Sequence, residues 1–103
     1  MSYDFYLVKD CGNGDIPLEG FHLNYTYNVS GMFRSSIGSE KGINVIHNKR
    51  AQEVVAVLQK ALKLLQENPD IYKRMNPKNG WGTYEGAMRV VSTLIQWALM
   101  LDL

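Results

Sequence analysis

The chain has few of the residues that covalent or metal chemistry needs. It contains a single cysteine, Cys11, so no disulfide can form within one chain and a cysteine zinc site is not expected. Its two histidines, His22 and His47, have no metal-ligand spacing to a carboxylate or a cysteine. It also has no nucleophile elbow, Walker loop or dinucleotide-binding fingerprint. We therefore expect neither an enzyme nor a bound metal or cofactor.

The chain also has no excess of positive or negative charge and no long apolar run. With 11 basic and 10 acidic residues the net charge is +1, which argues against general nucleic-acid binding. No apolar run reaches the roughly 18–20 residues that span a bilayer, and the first residues do not resemble a signal peptide. We expect a cytoplasmic protein with no membrane segment. The 103 residues, 46% of them hydrophobic, predict one small domain over residues 1–103.

The hydrophobic pattern predicts an α+β fold. Residues 2–9 and 21–28 alternate as strands do, and we expect an antiparallel pair joined by a loop of about ten residues. Apolar residues at helical spacing predict two long helices, over residues 49–67 with Asn48 as N-cap and from Thr83 as N-cap to about Met100. Shorter helices are expected near residues 29–37 and 70–75. The predicted domain is thus a two-stranded sheet packed with two long helices.

The polar face of the second strand is the first candidate site. His22, Asn24, Thr26 and Asn28 form a row of hydrogen-bonding side chains that could contact a base, a sugar or an amide. The alternative is a solvent-facing strand surface, and Asn28 could instead cap the next helix. Arg34, which follows within two helical turns beside two serines, could hold an anion or be an ordinary surface residue.

The second candidate site is the run Asn76-Pro77-Lys78-Asn79-Gly80-Trp81-Gly82-Thr83-Tyr84-Glu85, called here the Trp81 loop. Its Asn79-Gly80 pair is a strong turn signal. Either Trp81 or Tyr84 could stack on a ligand, while backbone N–H groups near Thr83 could hold an anion at the helix start. The alternative is that Trp81 folds back as the lid of the core.

Two motifs resemble those of a family of small uncharacterised bacteriophage proteins. Members pair a TYN strand, here Asn24-Tyr25-Thr26-Tyr27-Asn28 followed by Met32-Phe33, with an NPxNGWGxYE loop between two helices. The resemblance covers roughly residues 24–94 and implies a phage origin and this layout, but no reaction. It also implies the host cytoplasm as location. Small phage proteins without catalytic groups often bind a host protein or, like phage sponge proteins, sequester a nucleotide signal of host immunity.

Two functions of different class follow from these features. The first is sequestration of a nucleotide-like ligand between the polar strand face and the Trp81 loop, with ligand-binding residues Asn24, Thr26, Asn28, Arg34, Asn79, Trp81, Thr83 and Tyr84. The second is a module that binds or inhibits a host protein through apolar residues off the helix stripes, namely Val57, Leu64, Trp97, Met100 and Leu103. The same apolar surplus predicts a homo-oligomer formed through the long helices.

Overall fold

The computed structural model describes residues 2–10, 15–47 and 49–100, and it confirms the predicted α+β class. Its described strands form one antiparallel two-stranded sheet. In chain order the elements are strands β1 (Ser2–Asp10) and β2 (Asp15–Thr26), a 3-10 turn (Tyr27–Val29), helix α1 (Ser30–Ile37), a second 3-10 turn (Gly42–Ile46), and helices α2 (Ala51–Glu67), α3 (Pro69–Lys73) and α4 (Tyr84–Met100).

The hairpin is longer than the sequence predicted. The loop of about ten residues was a wrong prediction, because β1 continues to Asp10 and β2 already begins at Asp15. The register shifts between Tyr6 and Val8, and on β2 this irregular stretch contains Gly20 with a φ of +85°. Such a bulge interrupts the alternation of apolar and polar residues, so the first half of β2 does not look like a strand in the sequence. Cys11 lies outside the described residues.

The two faces of the sheet follow the predicted alternation near the helices. Tyr3 lies opposite Tyr25, and Phe5 opposite Leu23, with all four side chains packed into or against the core. Successive side chains of a strand point to opposite faces, so Asp4, Tyr6, His22 and Asn24 lie on the outer face. The predicted strand extends two residues too far, because Thr26 already caps the 3-10 turn that contains Asn28.

The two long helices bury the predicted apolar stripes. On α2 the buried residues are Leu58, Ala61 and Leu65, and on α4 they include Ala87, Val90, Val91, Leu94, Ile95 and Ala98. Each fully buried Leu or Val stabilises the fold by about 1.5–3 kcal/mol relative to exposure. These stripes close the core over Met32 and Phe33 of α1 and over Ile43.

The helix ends agree with the sequence in one case and differ in the other. Thr83 is the N-cap of α4 as predicted, since its Oγ1 accepts a hydrogen bond from the Gly86 N–H at 3.0 Å. Helix α2 begins at Ala51 rather than at residue 49, and its N-cap, Arg50, makes no side-chain capping bond. Asn48, the predicted cap, lies outside the described residues.

Among the helices described, none combines the length and the apolar character needed to cross a membrane.

Candidate functional site

Hydrogen bonds within the Trp81 loop hold its backbone in one conformation. The Asn76 Oδ1 accepts from the N–H of Tyr84 at 2.8 Å, which ties the start of the loop to the start of α4. The Asn79 Oδ1 accepts from the N–H of Trp81 at 3.0 Å, and the Gly80 N–H donates to the Pro77 carbonyl at 3.3 Å. Asn side chains commonly stabilise turns by accepting from the backbone two residues later. The segment that carries Trp81 is therefore fixed on both sides.

Trp81 is exposed and does not cover the core. Its side chain is 69% exposed, and its indole stacks on no described ring. The two flanking residues, Gly80 and Gly82, have φ values of +77° and +99°, which L side chains rarely adopt. Single exposed apolar residues are ordinary in proteins. Here, however, the backbone on each side of Trp81 has a conformation that favours glycine. The hydrogen-bonded loop therefore presents the indole to solvent.

Two glycines let the Trp81 loop approach the end of β2 closely. A Cβ at Gly82 would lie 2.5 Å from Thr26 Cγ2 and 2.9 Å from Val29 Cγ1. A Cβ at Gly86 would overlap the Tyr25 hydroxyl, and that hydroxyl accepts a hydrogen bond from the Thr83 N–H at 3.0 Å. The phenol of Tyr25 thus joins β2 to the first turn of α4. This contact places the exposed indole beside the polar end of the strand.

An open groove of about 590 Å³ lies between the strand end and the loop. Its lining consists of polar side chains, two aromatic rings and one glycine: Ser2, Asn24, Tyr25, Thr26, Asn28, Asn79, Trp81 and Gly82. We call this the Trp81 groove. None of the described residues that line it carries a formal charge. A ligand here would meet an aromatic face, hydroxyls and amides.

The hydrogen-bonding groups of the groove are partly committed and partly free. The Asn24 Nδ2 donates toward Ser2 Oγ at 3.2 Å, the Tyr3 carbonyl at 3.1 Å and Asp4 Oδ1 at 2.9 Å. The Tyr3 carbonyl and the Asp4 carboxylate can only accept, which favours this amide orientation, and the Asn24 Oδ1 has no partner within the described chain. Thr26 accepts from the Asn28 N–H at 3.3 Å, which leaves its own hydroxyl proton available.

The loop side of the groove offers the complementary groups. Asn79 uses its Oδ1 to accept from Trp81, so its Nδ2 has two protons for a ligand. The side-chain amide of Asn28 makes no hydrogen bond to any described residue and can both donate and accept. The groove therefore presents acceptors and donors within reach of one aromatic face. This combination fits the edge of a nucleobase or the hydroxyls of a sugar.

Asp4, on the outer face of the sheet, accepts a hydrogen bond from the groove residue Asn24. The hydrogen bond from Asn24, followed by that from His22, holds the pKa of the Asp4 carboxyl below its usual range. The His22 Nε2 lies 3.2 Å from Asp4 Oδ1, and its ring stacks on Tyr6 at 4.6 Å. Thus His22, which the sequence placed with the polar row, contacts Asp4 and Tyr6 and does not line the groove.

The structure brings five of the eight predicted ligand-binding residues into this groove, namely Asn24, Thr26, Asn28, Asn79 and Trp81. Thr83 is not among the lining residues, and as the N-cap of α4 its hydroxyl accepts a hydrogen bond from the Gly86 N–H. Arg34 does not line the groove. It lies exposed on α1, close to Gly42 and near enough to Tyr3 to act on its hydroxyl. The anion site predicted at Arg34 is therefore not part of this groove.

Tyr84 requires a correction of its predicted ligand-stacking role. Its side chain is 6% exposed, its ring is parallel to that of Tyr72 at 6.4 Å, and its hydroxyl donates to the Leu65 carbonyl. Burial raises the pKa of the Tyr84 hydroxyl, with a smaller contribution from the Glu85 carboxylate. Tyr84 closes the core between α2 and α4, and of the two loop aromatics Trp81 alone faces the groove.

Three residues of the groove were absent from the sequence prediction: Ser2, Tyr25 and Gly82. In the strand alternation Tyr25 lies opposite the polar row, and its ring packs against the core, but its hydroxyl reaches the loop. The spacing of Gly82 and Gly86, one helical turn apart around a cap residue, was a usable signal that another chain segment approaches there.

Comparison with protein-family models, with curated proteins and with solved structures finds no match to this chain.

Proposed function

We propose that this chain is a non-enzymatic binding protein that takes a nucleotide-like ligand in the Trp81 groove. The observation that carries the proposal is the exposed indole of Trp81, which lies beside four groups with free hydrogen-bonding capacity. They are the Asn24 Oδ1, the Thr26 hydroxyl proton, the Asn28 side-chain amide and the Asn79 Nδ2. The base would stack on the indole, while its edge and the ribose would contact the polar groups. The resemblance to small phage proteins supports a counter-defence role, in which the ligand is a signal of host immunity.

The lining of the groove also suggests which part of the ligand is held. No described lining residue is cationic, and Arg34 lies elsewhere. Phosphate groups are usually held by Arg, Lys or clustered backbone N–H groups. We therefore expect the base and sugar to supply most of the affinity. A nucleoside should then bind nearly as tightly as its nucleotide.

Calorimetry against a panel of cyclic and ADP-ribose-type nucleotides, with the matching nucleosides, tests this function. Stacking on an aromatic side chain contributes about 1–3 kcal/mol per base, so Trp81→Ala should weaken binding by about fivefold to more than a hundredfold. The substitution should change the free energy of unfolding by less than about 0.5 kcal/mol, because the side chain is exposed. Failure of the whole panel to bind at about 100 µM, or binding unaffected by Trp81→Ala, would refute the proposal.

The two tryptophans give a matched fluorescence control. Trp97 is half-buried, makes an edge-to-face contact with Phe21 at 5.6 Å, and is not among the residues that line the Trp81 groove. In a Trp97→Phe variant only Trp81 emits, and a stacked ligand should quench it. In a Trp81→Phe variant only Trp97 emits, and the same ligand should leave its emission unchanged. Equal quenching of both would place the ligand elsewhere.

A host-protein inhibitor remains the second candidate function, and the exposed apolar residues of the long helices favour it. Val57 is 36% exposed and Met100 is 58% exposed, as predicted. Leu64 and Trp97 are only half-buried, and Leu103 lies outside the described residues. A pull-down from host lysate with wild type and with a Val57→Glu, Met100→Glu variant tests it. A partner retained equally by both would exclude this surface.

A further inference from the structure

A second and larger groove, of about 1100 Å³, runs along β1. Every residue from Ser2 to Val8 lines it, and none of the lining residues that the structure describes belongs to β2. Because successive side chains of a strand point to opposite faces, one groove can touch seven consecutive residues only if it follows the strand edge. This edge is the one that β2 leaves free. We call this groove the β1-edge groove.

The free edge of β1 is unpaired in the described part of the molecule. The sheet there has only the two strands β1 and β2, so one edge of β1 has a row of N–H and C=O groups without a strand partner. Across the groove stands a largely apolar wall formed by the second 3-10 turn, the start of α2 and the end of α4. It includes Ile46, Val54, Leu94 and Ala98.

Positive charge lines the rim of this groove. Lys49 and Arg50 come just before α2, are exposed, and form no ion pair with a described residue. His47 stands beside them. The one acidic side chain among the described lining residues, Asp4, is already bonded to Asn24 and His22 on the outer face of the sheet. The rim is therefore complementary to an acidic partner.

We propose that the β1-edge groove takes an extended acidic peptide of a partner protein, which adds to the sheet as a third strand beside β1. The backbone of β1 supplies the hydrogen bonds, and every second side chain of the peptide faces the apolar wall around Val54 and Leu94. Carboxylates of the peptide lie near Lys49 and Arg50. Among the described lining residues this site shares only Ser2 with the Trp81 groove, and its apolar wall and charged rim lie outside that groove, so it does not depend on the proposed function.

Fluorescence anisotropy with a labelled peptide of about nine residues that alternates valine and glutamate tests the proposal. The acidic peptide should bind at low ionic strength, and the same peptide with lysine in place of glutamate should not. The double variant Lys49→Glu, Arg50→Glu should weaken binding by roughly tenfold, because two attractive charges become repulsive. The matched control, Lys41→Glu with Lys60→Glu, reverses two exposed lysines that do not line the groove and should change affinity less than about twofold.

Hydrogen exchange supplies a readout that a purely electrostatic contact would not change. Amide protons of β1 that exchange rapidly in the free protein should become protected when the acidic peptide is bound. Absence of binding at about 100 µM, equal binding of the lysine peptide, or unchanged affinity of the Lys49→Glu, Arg50→Glu variant would overturn the proposal. So would protection of the same amides in a dimer of the protein alone, since a second copy would then occupy the edge.

Discussion

Replacing Gly86 with alanine tests whether the Tyr25 phenol fixes the Trp81 loop. Gly86 lies in the first turn of α4, and a Cβ there would overlap the Tyr25 hydroxyl and lie 2.5 Å from Cζ of the same ring. In an unobstructed helix, alanine would be favoured over glycine by up to about 1 kcal/mol. Here the ring must move, which costs about 1–3 kcal/mol, and the hydrogen bond to the Thr83 N–H, worth about 1 kcal/mol, is lost.

The unfavourable terms are larger, so Gly86→Ala should lower the free energy of unfolding by about 1–3 kcal/mol in urea denaturation. In a Tyr25→Leu background the overlapping phenol atoms are absent and the nearest remaining atom is Thr83 Oγ1 at 3.2 Å, so the same substitution should instead be neutral or stabilising by up to about 1 kcal/mol. The coupling between the two positions should therefore be about 1–4 kcal/mol. Gly31→Ala in α1 is the matched control, because the nearest atom to its Cβ would be 3.9 Å away.

An effect of Gly86→Ala with the same sign and size in both backgrounds would refute the reasoning. So would a destabilised Gly31→Ala, since helix propensity could then not be separated from the clash. The variant also has a consequence for the groove. Once the phenol is displaced, the Thr83 N–H loses its partner, so Gly86→Ala should weaken any ligand that stacks on Trp81.

Three further predictions concern the loop, the core and the helices. Asn76→Ala removes the acceptor of the Tyr84 N–H and should lower the free energy of unfolding by about 0.5–2 kcal/mol, measured in urea. Because burial raises the pKa of Tyr84, its contribution to stability is full below about pH 10, the unfolded value, and is lost as the pH rises toward the folded pKa. As the pH rises from about 9 to 11, the urea concentration at the unfolding midpoint should fall less in Tyr84→Phe than in wild type. An equal fall in both proteins would contradict this. Light scattering should give a mass above the 11.7 kDa of one chain, and Val57→Glu with Met100→Glu should reduce it, whereas a monomeric wild type would disprove self-association.

The parts of the fold that the sequence predicted are those governed by local periodicity. The alternation around Phe5 and Leu23 and the buried stripe of α4 arise from the strand and helix repeats themselves. Thr83 was identifiable as an N-cap because its hydroxyl bonds a backbone N–H only three residues away. The first half of β2 was missed, since the bulge near Gly20 removes the alternation on which the prediction depends.

The candidate site was predicted less completely, because it depends on tertiary contacts. Tyr84 could have been placed correctly: it precedes Ala87 by three residues and Val91 by seven, so it extends the buried stripe of α4 by one turn. The position of Arg34 could not, since the placement of helix α1 depends on its packing against α2 and the second 3-10 turn. How far the phenol of Tyr25 reaches also depends on packing between segments distant in the chain.

The hydrogen bond between Tyr25 and Thr83 joins residues 58 positions apart. The unfolded chain does not hold such a contact, because closing a loop of that length is entropically unfavourable without the rest of the fold. The Trp81 groove therefore does not exist in the unfolded chain, and any molecule that occupies it binds the native state alone. Such a ligand raises the free energy of unfolding by about 2.7 kcal/mol at a hundred times its dissociation constant. Thermal denaturation against a chemical library would then reveal the ligand class before its identity is known.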